Sequence, residues 1–539
     1  MNVTFNIQYS TVYGDEILLN IAPTVAEGET TDVSQYKTLS MSTHDGQTWS
    51  IDTQLNTAES VSYDYFYSVR NVRGTKRMEW RTVMHRIDLT ATNATRYKVE
   101  DRWAEIPGDT YLYSSAFTDC VNRRAEDKVK PTGYDTTLRL VVRAPQLRSG
   151  MHLNVVGAQP ALGCWDITKS IPMTEHNHNE WIVDIDATRI FGFKKTTAGK
   201  NDDIEENKTL ELKFVALGDK NEIEWETGMN RILTVEPMSK GDVRIVALDQ
   251  AFFALCDEKM AGTLIPVFSL RSEGSFGVGD FGDLKLMIDW VAQTHQRLLQ
   301  VLPINDSTST HTWTDSYPYS CISIFALHPQ FCDLRQLPAL KDKVEADRFE
   351  MLRKELNGLP QVDYERVNNA KTKYLQLLFK QEGKEVLATE DFKEFFKRTE
   401  HWLVPYAQYC YLRDKNGTCE FAKWKGHTQW NEADRASLSN PQNKAFKDVA
   451  FFYYVQFVLD RQMRSAHDYA RARGVILKGD IPIGVNRNGC DVWHEPEYFH
   501  LDSQAGAPPD SFSVNGQNWG FPTYNWDRMI ADGCQWWVR

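Results

Sequence analysis

No long apolar run, no close cysteine pair and no excess of basic charge occurs in this sequence, and each absence narrows what the protein can be. The nine cysteines, an odd number, are scattered from Cys120 to Cys534 without a C-x-x-C pair. Neither a disulfide framework nor a zinc ribbon is indicated, and a reducing compartment is expected. No stretch is apolar for long enough to span a bilayer, and Met1 to Leu19 lacks the basic start and apolar run of a secretion signal. The expectation is a soluble cytoplasmic protein that does not act at a membrane. The 61 basic against 73 acidic residues leave a net charge of −12, which counts against nucleic acid as a partner and favours a neutral ligand. His494 and His500 have no third partner at ligand spacing, so no metal is expected, and no other cofactor is implied.

The 539 residues, 42% hydrophobic and 25% charged, suffice for three or four domains with cores of their own. Up to about Val246 the chain reads as short β-rich runs broken by turns, such as Tyr63 to Val69 and Leu138 to Val142. Antiparallel sandwiches follow. Beyond about Gly262, strand-like runs alternate with amphipathic helices, the pattern of parallel βαβ units. One unit runs from Leu264–Leu270 through a glycine loop and a helix near Asp283–Gln293 to Leu298–Pro303. Another joins a helix over Ala445–Arg473, capped by Gly474, to a strand at Val475–Leu477. Within the β-rich part, the segment Met78 to Arg86 echoes Ile223 to Arg231, placing Trp80 against Trp225. Two related modules are therefore expected at 1–102 and 133–246, joined by a polar connector at 103–132 and followed by an α/β domain at 247–539.

In the second module, Leu162-Gly-Cys-Trp165-Asp, Trp181-Ile-Val-Asp, Leu212-Lys213-Phe and Glu224-Trp225-Glu-Thr-Gly-Met-Asn230-Arg231 occur in an order that resembles family-twenty starch-binding domains. The resemblance implies a glucan site made by Trp165, Trp225 and Lys213, with Asn230 beside it. The chemistry suits this: an indole takes the apolar face of a glucose ring and a cationic side chain takes its hydroxyls. Burial in the sandwich core is the competing role for any such tryptophan. Asp166 and Glu226 beside Trp165 and Trp225 favour exposure, whereas Trp181 in an alternating strand reads as core. The first module offers Trp80 but no Leu-Gly-x-Trp, and Tyr36 or Trp49 could supply a second ring.

In the α/β half, Gly277-Val-Gly279-Asp-Phe-Gly282 satisfies G-x-G-x-x-G, with Asp306 past the next strand where a ribose-binding acid would stand. An NAD-binding enzyme is thus one alternative, although Arg271 to Phe276 lengthens the turn. Ser275 to Asp283, Asp315-Ser316-Tyr317-Pro-Tyr319-Ser320, Gly479-Asp480-Ile-Pro, Asp491-Val-Trp493, Gly506-Ala-Pro-Pro-Asp510 and Gly516-Gln517-Asn-Trp519-Gly occur in the order of the amylomaltase family of 4-α-glucanotransferases, which the chain resembles from about Gly262 to Arg539. The form of the Asp315 motif and the paired upstream modules resemble the branch acting on maltose and larger glucans.

That resemblance implies an eight-stranded (β/α) barrel whose substrate lies over the C-terminal strand ends. It implies maltose, maltodextrins, starch or glycogen as partners, and sugar contacts from Ser316, Tyr317, Tyr319, Asp510, Gln517 and Trp519. Asp480 takes the place of a supporting acid, and Ala507–Trp519 that of a loop arching over the glucan. Ser511 stands where the family commonly has tyrosine. Trp526, Trp536 and Trp537 are expected in helix cores. Retaining transfer needs a nucleophilic carboxylate and an acid/base about 5 Å apart, and the family's motif for them follows the segment equivalent to Gln535–Arg539. The expectation is a barrel with three of its strands, lacking the catalytic carboxylates. A protein that holds starch without turning it over is the other function class.

Overall fold

Alternation builds the first sheet: along Asn2–Gln8 the side chains of Val3, Phe5 and Ile7 turn inward while their neighbours face outward. In the computed structural model of the protein, residues 1–25, 35–122, 129–191, 208–255 and 259–539 are described. They form two compact units, Met1–Lys259 and Met260–Arg539.

In the first unit an eight-stranded sheet runs in the order Thr174–Asn177, Glu180–Asp186, Thr137–Arg143, Asp242–Ala247, Arg96–Arg102, Asn2–Gln8, Thr48–Gln54 and Ser42–Thr43. Two five-stranded sheets accompany it. One apolar core joins Phe5, Tyr97 and Val99 of the long sheet to Leu19, Tyr65 and Tyr67 of one five-stranded sheet. The other joins Leu140, Val142 and Trp181 to Val155, Leu212 and Phe214. The two sequence repeats therefore share one sheet. Their common strand is Asp242–Ala247, which pairs in parallel with both Arg96–Arg102 and Thr137–Arg143. Val243 and Ile245 enter the first core and Val246 the second. The connector holds a short turn of helix at Thr110–Tyr113 and another at Phe117–Val121.

The second unit contains a three-stranded parallel sheet of Gly262–Leu264, Leu298–Gln300 and Ile476–Lys478, with Leu298 beside both Gly262 and Ile476. The first strand is shorter than its apolar run because Pro266 has no amide to give a neighbour, and the chain turns into a 3-10 helix at Val267–Ser269. Helix Phe281–Gln293 is closed by a capping box between Asp280 and Asp283. Four long helices, Lys343–Asn357, Tyr364–Val386, Glu390–Asn416 and Phe446–Ala472, and a short one, Glu432–Leu438, lie between the second and third strands. Among the described residues no helix is long and apolar enough to cross a membrane.

Candidate functional site

Loops leaving the second and third parallel strands meet. The Tyr319 hydroxyl donates to Asp480 Oδ2 at 2.9 Å, and burial together with this carboxylate raises the phenol's pKa. Asp480 stands two residues past Ile476–Lys478, where a barrel strand delivers its functional side chains. Tyr317 is exposed, its ring 5.8 Å from that of Tyr319 and tilted by 56°. Ser316 donates to the Trp313 carbonyl, so in this arrangement its hydroxyl hydrogen serves the loop.

Two acids that head their sequence motifs, but whose role the sequence did not announce, hold these loops in place. Asp315 accepts the amides of Thr310 and His311 and the hydroxyls of Ser309 and Thr310. The run of serine and threonine before it is the sequence signal for such an anchor. Asp491, buried, accepts the Ile324 amide at 2.9 Å, and burial pushes its carboxyl up to about 7. Asn486 completes the clamp, its amide donating to the Cys321 carbonyl and its side chain to Ser320.

The expected arch is a hairpin of Gly506–Ala507 and Gln517–Asn518. Asp510 Oδ1 accepts the amides of Phe512 and Ser513 and so shapes the tip. Gln517 accepts from the indole of Trp519 at 3.0 Å. Ser511 brings no ring, but Phe512 beside it is 94% exposed. Behind the hairpin, the ring of Phe521 lies so close to Gly484 that a Cβ there would come within 2.5 Å of it.

The glycine loop does not build a phosphate cradle. A Cβ on Gly279 would stand 1.9 Å from the Val267 carbonyl oxygen, and Gly282 packs on the Asp333 carboxylate. The helix N-terminus is already occupied by the buried acids Asp280 and Asp283. Asp306 is also buried and bonds to the Tyr406 hydroxyl. Trp526 departs from its expected core position: it is 52% exposed and stacks on Trp537, while Trp536 is fully buried.

A second constellation lies in the first unit. On the strand Lys208–Gly218, Leu212, Phe214 and Ala216 face the core, which sends Lys213 and Val215 to the other face. Trp225 pairs with Val215 across the sheet, and Lys213 reaches the Gly228 carbonyl at 2.6 Å. Trp165 is delivered by three successive left-handed residues, Gly163, Cys164 and Trp165, with φ of 86°, 50° and 65°. Its amide donates to Gly157, whose cross-strand partner Leu212 adjoins Lys213. Both indoles are half-buried, and Asn230 is exposed with its amide on Glu211. Trp181 and Trp49 are core residues, and Tyr36 packs edge-on to Phe66.

The equivalence of Trp80 with Trp225 is shifted by two residues in the structure. Glu79 bonds Tyr67 through both its amide and its carboxylate, as Glu226 bonds Phe214. Met78, paired with Ser68, thus takes the place of Trp225. Trp80 instead packs edge-on to Tyr113 with the Arg143 guanidinium over its ring.

With this geometry in view, comparison with known proteins gives two family matches: 4-alpha-glucanotransferase over residues 265–539 and starch binding domain over residues 135–244. The 4-alpha-glucanotransferase DPE2 of Oryza sativa subsp. japonica is 31% identical over 554 aligned residues, 100% of this chain and 56% of that protein. The 4-alpha-glucanotransferase of Chlamydia muridarum is 34% identical over 280 residues, 51% of each chain. A solved amylomaltase from Streptococcus agalactiae, in complex with acarbose, aligns at 25% identity and a TM-score of 0.45 over 52% of this chain and 56% of that one. The chain spans about half the length of the curated relatives it matches. The family match covers the second and third strands of the parallel sheet, the Tyr319–Asp480 contact and the Gly506–Asn518 hairpin, and the chain belongs to the 4-alpha-glucanotransferase family.

Proposed function

We propose that the protein transfers glucosyl units from maltose or maltodextrins to glucan acceptors by retaining double displacement. In this reading residues 1–102 and 133–246 are two β-sandwich starch-binding modules joined by 103–132, and residues 247–539 are part of a (β/α)8 barrel in a cytoplasmic enzyme. The observation that carries it is the Tyr319–Asp480 bond at the C-terminal ends of parallel strands, beneath loops anchored by Asp315 and Asp491. Ser316, Tyr317, Tyr319, Asp510, Gln517 and Trp519 would contact sugar, with Asp480 as a supporting acid. Starch or glycogen would be held by Trp165, Trp225, Lys213 and Asn230, and Trp80 beside Tyr113 is a separate candidate ring on the first module.

Binding without turnover is expected of the 539 residues alone. Breaking the glycosidic bond requires protonation of the leaving oxygen and capture of the oxocarbenium-like centre by two carboxyls about 5 Å apart, and Asp480 cannot serve as both. The test is chromatography of maltose with glycogen, and of maltotriose alone, after incubation with this chain or with one continued to the length of its relatives. An inactive shorter chain beside an active longer one supports the assignment. Comparable glucose redistribution by both would mean that the reacting carboxyls lie between Met1 and Arg539.

A further inference from the structure

A cavity of about 640 Å³ opens among the helices Tyr364–Val386, Glu390–Asn416 and Phe446–Ala472 of the second unit, and none of Tyr319, Asp480, Asp510 or Trp519 lines it. Its lining includes His328 and Asp306, which are 2% and 1% exposed. His328 Nδ1 accepts the Gln330 amide at 3.1 Å, so the ring proton sits on Nε2. Burial lowers the imidazole's pKa and keeps it neutral. Nε2 is buried and has no hydrogen-bond partner among the described residues. Asp306 accepts the Thr308 amide and the Tyr406 hydroxyl, and each carboxylate oxygen retains a free lone pair. The lining thus offers a fixed donor and an acceptor.

The walls are largely apolar: Phe379, Phe451, Phe452, Leu375 and Val455 line them. Lys380, Lys415 and Lys447 also line the cavity and are exposed, and none forms an ion pair among the described residues. The other charges of the lining are largely spent internally, since Asp414 meets His311 and Arg413 and Asp315 holds its own loop; Asp448 is the remaining exposed acid.

We propose that this cavity binds a nucleoside phosphate, with the base edge on His328 and Asp306, the base against the wall that the mutually packed rings of Phe379, Phe451 and Phe452 form, and the phosphate at the lysines. A nucleobase edge presents an acceptor beside a donor, which matches a neutral Nε2–H and a carboxylate. Its flat faces suit phenyl walls, and Asn368, Asn369 and Thr372, also in the lining, can meet the ribose hydroxyls. Unpaired lysines are suited to phosphate as point charges, and the volume falls within the range of small-ligand sites.

The test is calorimetric titration of the 539-residue chain with ADP, adenosine, glucose 1-phosphate and inorganic phosphate. Saturable 1:1 binding of ADP is expected, with the other three weaker by ~10-fold or more. Lys380→Ala/Lys447→Ala and, separately, Gln376→Trp at another exposed lining position are each expected to weaken ADP by ~10-fold or more and to leave β-cyclodextrin binding unchanged. No saturation by ~10 mM ADP overturns the proposal. Glucose 1-phosphate binding as tightly as ADP would make the site one for sugar phosphates. ADP binding unaltered in both variants would place the nucleotide elsewhere, and either result refutes the assignment.

Discussion

Trp225 owes its position to the register of one strand pair and Trp165 to three left-handed residues, so the two half-buried indoles are placed by unrelated routes. If they hold glucan, Trp225→Ala in the full chain weakens β-cyclodextrin binding by ~10-fold, about 1.4 kcal/mol, in isothermal titration. Unchanged affinity would assign both rings to packing alone. The motif order pointed to these residues because it joins the tryptophans to Lys213 and Asn230. The shift at Trp80 was not legible, because an Glu-Trp repeat in sequence says nothing about which residue bonds to Tyr67. Gly279 illustrates a different limit. It reads as part of a nucleotide fingerprint, yet what requires glycine is the Val267 carbonyl, 1.9 Å from where a Cβ would stand. Gly279→Ala is predicted to cost about 2 to 4 kcal/mol through the backbone shift it forces, measured by urea unfolding. A loss below about 0.5 kcal/mol would show that the loop relaxes freely.

Elements with strong periodicity were the most readable. The helix expected over Ala445–Arg473 is Phe446–Ala472, and that near Asp283–Gln293 is Phe281–Gln293. Strand lengths were less so, because apolar runs such as Leu264–Leu270 are buried as turns as well as strands, and Pro266 decides where pairing stops. The helices between Lys343 and Asn416 carry none of the sugar motifs, and their arrangement around a cavity depends on tertiary contacts that no local pattern announces. Loop anchoring also escaped a motif reading. Asp491 sits in the five-residue helix Cys490–His494 but takes the amide of Ile324, 167 positions earlier. Asp491→Ala would leave that amide without its acceptor. The expected loss is about 1 to 3 kcal/mol, seen as a lower unfolding midpoint of the second unit, with Asp491→Asn retaining part of it through its carbonyl oxygen. Equal losses in the two variants would count against the hydrogen bond as the cause.

At the scale of the whole first unit, the shared strand Asp242–Ala247 brings with it a seam of buried charge that the sequence repeats did not suggest. Arg139 donates to the Asp88 carbonyl and to Asp184, and His176 lies between the carboxylates of Asp88 and Glu180. His85 faces Glu79 and Asp101, with Tyr65, Tyr67 and Arg143 around it. Burial opposes charge on both imidazoles, but the carboxylates outweigh it and raise each to about 9 from an ordinary 6.5. A histidine raised in the folded state contributes stability that is complete below pH 6.5 and is lost as pH rises through 9, on the order of 3 kcal/mol at most for each ring. The acid side runs the other way. Burial is again opposed and overcome, and Asp88 and Glu180 fall to about 2, so their contribution is complete above their ordinary 3.8 and 4.5 and is lost as pH falls towards 2. The first unit should therefore be most stable between about pH 4.5 and 6.5 and weaken progressively towards pH 10. Urea midpoints of the chain at pH 6, 8 and 10 are the measurement, with His176→Gln flattening the alkaline decline. A midpoint constant from pH 6 to 10, or a decline as steep in His176→Gln as in the wild type, would mean that His176 does not hold the two repeats together as a cation.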